Sequence, residues 1–145
     1  MSDPDLIKLY SERLLALAAD IPQSDRLVAP QATATKRAPM CGSTVTVDVD
    51  LADGRVARFG QDVRACALGQ ASASILGGLV IGKTGAELTR ARAELAAMLK
   101  GAEPPAPPFD AFAVLIAARD FSNRHASILL ALDATLLAIA QIEAV

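Results

Sequence analysis

The sequence predicts an α+β domain, a three-stranded antiparallel sheet with helices packed on one face. Three observations carry that expectation. The stretch "STVTVDVDLADGRVARFG" alternates apolar and polar residues with the two-residue period of a half-buried strand, then turns back on itself. After a first helix the strand patterns come together and four helical patterns follow in succession, the order of an α+β fold rather than an alternating α/β one. Apolar residues make up 52% of the chain but aromatics only 3%, which suits packed helices on a small sheet better than a sandwich or barrel. At 145 residues the chain reads as one domain over 1–145, long enough to bury a core.

The elements follow in order. Asp3 and Pro4 resemble an N-cap and first-turn proline, and Leu6, Tyr10, Leu14 and Leu17 recur at helical spacing, predicting a first helix to about Asp20. A proline-containing connector follows, with an edge strand near Ala32–Lys36. Val45, Val47, Val49 and Leu51 alternate with Thr44, Thr46, Asp48 and Asp50, placing the second set on the open face. Asp53-Gly54 supplies the tight reversal, and Val56, Ala57 and Phe59 continue the returning strand.

After Cys66 the pattern turns helical to about Ile81, with Gly82 as its stop. Thr84 and Glu87 form a capping-box pattern that opens a helix ending near Lys100–Gly101. "AEPPAPP" is a linker. Phe109–Ala118 reads as a short helix and Asn123–Glu143 as a long one, with Ile128, Leu132, Leu136 and Ile139 on one face.

A formal charge of −2 leaves no electrostatic footprint for nucleic acid and no polybasic patch for an anionic membrane. The stretch Ile128–Ala140 is short for a bilayer span, contains Asp133, and reads as a buried amphipathic helix. The polar start "MSDPDLIKLYSERL" does not read as a secretory signal. Two cysteines without an export signal make a cytoplasmic location the expectation and a structural disulfide the less expected use.

Cys41 stands in "APMCGST", just before the first long strand, and Cys66 where the returning strand gives way to a helix. A helix start gathers unpaired amides and the positive end of the dipole, which favour a thiolate. A hairpin brings the loop before its first strand and the loop after its second to one end of the sheet, so both sulfurs are expected there. Thiolates are soft ligands for zinc, copper(I) and iron–sulfur clusters. Free cysteine is more commonly a buried small hydrophobe, and spacing without a CxxC does not decide between these uses. Ser72 and Ser74 are expected to let elements pack closely. Asp62 and Asp133 read as solvated or capping groups, and His125, the only histidine, taken alone as a surface or helix-start residue. No Ser-His-Asp order, phosphate-cradling glycine loop or paired-carboxylate constellation stands out.

From Ala38 to Leu88 the sequence resembles the iron–sulfur cluster assembly scaffolds of the IscU/SufU and NifU N-terminal domain family. "CGS" at Cys41 matches the family's first cysteine and glycine. "CALGQASAS" from Cys66 matches its second cysteine motif, and Gly82–Thr84 matches its "GKT" turn. "RHASILLALDA" is similar to its last helix. The chain departs from the family pattern at Ser43, where an Asp is usual, at Ala65, where a Gly is usual, and at the third cysteine. One alignment puts Ala126 at that cysteine, and sliding it by one residue puts Ser127 there.

The resemblance implies a scaffold or carrier, not an enzyme, that binds iron, zinc or a [2Fe–2S] cluster through Cys41, Cys66 and His125. It also implies a cysteine desulfurase and acceptor apo-proteins as partners. A closed site wants four ligands, and a homodimer could supply four thiolates to one bridging cluster. Persulfide sulfur transfer, and a degenerate interaction partner that binds no metal, are the alternatives.

Overall fold

The computed structural model describes residues 11–39 and 42–144. The first helix described, α1, is Glu12–Ala19, and the Ser11 hydroxyl caps it by accepting from the Leu14 amide at 3.3 Å. This helix begins at Glu12. The expected start at Asp3-Pro4, together with Leu6 and Tyr10, lies outside the described residues. A serine able to satisfy an orphan amide fixes this start.

Three strands follow: β1 (Ala32–Arg37), β2 (Thr44–Ala52) and β3 (Arg55–Arg64), hydrogen-bonded in that order and antiparallel throughout. Ala52 pairs with Arg55 across a two-residue turn in which Asp53 and Gly54 both have positive φ, 54° and 76°. Such a turn matches the right-handed twist of the strands, and Asp-Gly is among the few pairs that adopt it without strain. The register shifts between Asp50 and Leu51, a bulge that ends the regular alternation.

Val45, Val47 and Val49 face the core and are buried, as the two-residue period predicts. The opposite face is not open as expected. Asp48 is fully buried, because the connector between α1 and β1 lies over it. The Asp48 carboxylate accepts from Arg26 Nε at 2.6 Å and Nη2 at 3.1 Å, from the Leu27 amide at 3.0 Å, and from the Thr33 hydroxyl at 2.6 Å. An aspartate read as solvent-facing is thus the anchor of a surface loop.

The helices α2 (Ala67–Leu79), α3 (Gly85–Leu99) and α4 (His125–Glu143) complete the fold. Thr84 and Glu87 make the reciprocal capping box that opens α3. Phe109–Ala118 is a 3-10 helix, not an α-helix. Its buried residues are Phe109, Phe112, Leu115 and Ala118, a spacing of three that only a three-residue turn places on one face.

The α4 helix crosses β1 and β2 and packs beside α2. With its 3-10 lead-in, Ser122–Glu143 spans 22 residues at a mean hydropathy of 1.7, long and apolar enough by length and composition to cross a membrane. Ile128, Leu132 and Ile139 on it are buried, and the helix packs against the sheet, α2 and α3.

The α2 helix is covered on nearly every side: Leu68, Ala71, Ser72, Ala73, Ser74 and Leu76 are all buried. Its small side chains let partners close in. Ser72 donates to the Ile128 carbonyl of α4 at 2.6 Å, and Ser74 to the Asp20 carbonyl beyond α1 at 3.1 Å. The buried Gln61 of β3 donates to the carbonyls of Pro22 and Ala73, tying the connector, the sheet and α2 together.

Candidate metal centre

The hairpin brings its two ends to one place. Thr44, at the start of β2, pairs with Arg64, at the end of β3. One residue before Thr44 is Ser43, and two residues after Arg64 is Cys66. Both meet the same side chain, Ser127, in the first turn of α4. Ser127 Oγ lies 3.1 Å from Ser43 Oγ and 3.6 Å from Cys66 Sγ. Ser43 and Ser127 are buried, while the Cys66 thiol remains partly accessible. Cys41 falls between β1 and β2 in the sequence and lies outside the described residues. The Ala38 amide donates to the Ser43 carbonyl at 2.8 Å and the Gly42 amide to the Ala38 carbonyl at 2.9 Å.

Cys66 is the N-cap residue of α2. Burial pushes its thiol pKa up. The Gly69 amide, the Ser127 hydroxyl, the Leu68 amide and the positive charge of Arg124 together outweigh burial, so the thiol sits below its ordinary value. The sulfur closes no strict capping hydrogen bond. It faces the first-turn amides at a distance where their dipoles still favour the thiolate.

Close approach of α2 and α4 makes this arrangement possible, and Gly69 permits it. A Cβ at Gly69 would stand 2.5 Å from Ser127 Oγ, 2.8 Å from Ala65 Cβ and 3.2 Å from the Ser127 carbonyl oxygen. No side chain larger than hydrogen fits there unless Ser127 and Ala65 give way. The small residues after Cys66 are thus the condition for the last helix to reach the sulfur.

His125 opens α4, and its Nε2 lies 2.9 Å from the Ala118 carbonyl at the end of the 3-10 helix. A carbonyl only accepts, so Nε2 carries the proton, and in the neutral ring the free lone pair is on Nδ1. An imidazole held through one nitrogen by a backbone carbonyl, with the other open, has the form of a metal ligand supported from behind.

Of the residues singled out in the sequence, Cys66 stands with Ser43 and Ser127, and His125 begins the helix that carries Ser127. Of the two residues that alignment leaves competing for the third cysteine's place, Ser127 is buried against Cys66 and Ala126 is exposed. The Ser43–Ser127 hydrogen bond was not expected from sequence, where Ser43 registered only as a departure. Among the described residues, no three His, Cys, Asp or Glu side chains gather at a common point. Asp62 pairs with Arg64 at 3.5 Å and Asp133 with Arg92 at 2.9 Å.

No protein-family model and no curated protein matches the chain. Solved structures do. The crystal structure of a nitrogen-fixing NifU-like protein (N-terminal) from Brucella abortus superposes with a TM-score of 0.90 at 40% sequence identity, over 97% of this chain and 98% of that one. A protein from the thermophile Fervidobacterium islandicum AW-1, described as a candidate iron–sulfur cluster assembly scaffold for the SUF system, superposes at 0.83. It shares 18% identity over 92% of this chain and 98% of its own, a likeness of fold alone.

Proposed function

The chain belongs to the IscU/NifU-like scaffold family, and on that premise we propose that it is a scaffold or carrier in iron–sulfur cluster assembly. In this reading it takes iron and sulfide, holds them as a nascent [2Fe–2S] cluster or as a single iron or zinc ion, and passes the cargo to acceptor apo-proteins. Cys66, Cys41 and His125 are the protein ligands. A cysteine desulfurase is the sulfur donor, and the protein makes and breaks no bonds of its own beyond coordination.

The observation that supports this most is the state of Cys66, an accessible sulfur at a helix start where amides, a hydroxyl and Arg124 favour the thiolate. Thiolate, not thiol, is the form that binds soft metal. His125, steadied through Nε2 with Nδ1 open, suits the role of nitrogen ligand. Anaerobic incubation with ferrous iron and sulfide tests the proposal. Visible sulfur-to-iron charge-transfer absorption that disappears in Cys66→Ala supports it, and its absence from the wild type at every protein concentration refutes it.

The same thiolate favours a second reading, sulfur transfer. The Cys66 thiolate would attack the terminal sulfur of a desulfurase persulfide, forming a Cys66 persulfide and releasing the desulfurase cysteine as thiolate. Mass spectrometry after incubation with desulfurase and free cysteine would then find one added sulfur on Cys66. An unmodified Cys66 removes this reading.

A further inference from the structure

We propose that the groove between α1 and α2 docks a short amphipathic helix of a partner protein, one with basic residues beside its apolar face. The groove lies along the second half of α2, away from Cys66 at its start, and is independent of the scaffold reading.

Shape is the first support. The groove has a volume of about 670 Å³. Ala16 and Leu17 line it from α1, Ile75, Gly78 and Leu79 from α2, and Ala111 from the 3-10 helix. Glu12 and Arg13 carry the α1 wall to the helix start and Asp20 to its end, about 12 Å or two turns. On both walls the lining residues recur three and four apart, the spacing by which helices pack. An apolar stripe laid along such walls is the helix-in-groove mode of recognition.

The second support is that two residues of the groove are poor choices for this chain alone. Gly78 lies in the last turn of α2, and no described atom comes within 4 Å of where its Cβ would stand. Its φ is not positive, so neither crowding nor a left-handed backbone calls for glycine, whereas Gly69 and Gly77 are both crowded. Alanine would hold the helix better. Asp20 follows the last residue of α1, at the negative end of the helix dipole, where no basic residue of the last turn offsets it. Ser74 bonds only its backbone carbonyl, and among the described residues the Asp20 carboxylate has no partner.

A helix in the groove accounts for both. The missing side chain at Gly78 leaves a notch for an incoming apolar one. A lysine or arginine beside it would meet the Asp20 carboxylate and the unpaired carbonyls at the end of α1 together. The other charges point the same way: Glu12 is acidic, the exposed Asp110 precedes Ala111, and Arg13 is the one base among the lining residues. That balance complements a basic partner. Where residues that cost stability gather on one surface, function is the expected reason.

The chain contains no tryptophan, so a peptide carrying one reports alone. The probe is a leucine–lysine amphipathic helix of about four turns with one tryptophan on its apolar face, titrated into the full chain and followed by emission and anisotropy. Saturable binding is expected. Gly78→Leu should weaken it about tenfold by filling the notch, and Asp20→Asn about threefold, with a smaller salt dependence. Both variants should melt no lower than the wild type, a split that residues kept for packing would not show. Glu103→Gln, in the linker, should bind like the wild type. No saturable binding, binding indifferent to Gly78→Leu, or equal binding of a leucine–glutamate helix overturns the proposal. So does a loss in Glu103→Gln as large as in Asp20→Asn. Sedimentation of the chain alone tests the other occupant: a dimer that Gly78→Leu dissociates would give the groove to a second copy and overturn the partner helix.

Discussion

Ser127 Oγ stands 3.6 Å from Cys66 Sγ, joining the start of the last helix to the start of the helix that follows the hairpin. Residues 61 positions apart meet because the sheet returns the chain to its own end and Gly69 lets the two helices touch.

The Cys66 thiol titrates below the ordinary cysteine value, so its alkylation rate should reach half-maximum at a lower pH than that of a free thiol. Burial opposes this shift, so removing one of the groups that overcome it should show. Ser127→Ala is expected to move the midpoint upward, as is Arg124→Ala. An unchanged profile in both variants would mean that neither group acts on the sulfur.

At Gly69 two effects compete. Alanine gains about 1 kcal/mol over glycine inside a helix, but its Cβ would press on Ser127 and Ala65 at 2.5 and 2.8 Å. Overpacking of this kind costs about 1–3 kcal/mol. The contacts here are below any that real side chains tolerate, so overpacking should win. Gly69→Ala is expected to lower the melting temperature, and a rise would show that α4 yields freely.

Asp48 anchors the connector through Arg26, Leu27 and Thr33. Burial alone would raise its pKa, but these three partners hold it below the usual carboxylate value. The sign follows: its stabilising contribution is complete above the unfolded carboxylate pKa and fades as pH falls through the lower folded one. Asp48→Ala should cost about 2–3 kcal/mol at neutral pH, since the Leu27 amide and the Thr33 hydroxyl lose their acceptor and Arg26 its ion-pair partner. The gap between wild type and variant in chemical denaturation should narrow in acid. A gap independent of pH would contradict the ion pair's role.

His125 donates through Nε2 to the Ala118 carbonyl. Nitrogen-15 NMR of the metal-free protein is expected to show the Nε2–H tautomer, and zinc should shift the Nδ1 resonance. A shift at Nε2 would require the ring to leave Ala118 and would contradict the supporting bond.

Much of this was legible in the sequence, and the reasons are local. The hairpin was readable because a two-residue period and an Asp-Gly turn are both short-range signals. So was the α3 cap, because Thr84 and Glu87 lie within one turn. The 3-10 helix could have been read from the three-residue spacing of Phe109, Phe112, Leu115 and Ala118, but a short apolar run fits an α-helix as easily. The burial of Asp48 was not readable, because the loop that covers it lies more than 20 residues away in the chain. Nor could alignment choose between Ala126 and Ser127, since both registers fit the motif. The contact of Ser127 with Cys66 was not readable either, because it depends on the helix–helix approach that Gly69 sets.

Metal content decides the matter at its root. Iron and zinc should be counted per chain in protein purified anaerobically, for the wild type and for Cys41→Ala, Cys66→Ala and His125→Ala. A shared site predicts stoichiometric metal in the wild type and a marked loss in each variant. Metal far below one ion per chain, and indifferent to which of the three is removed, would mean that these residues hold no cargo together.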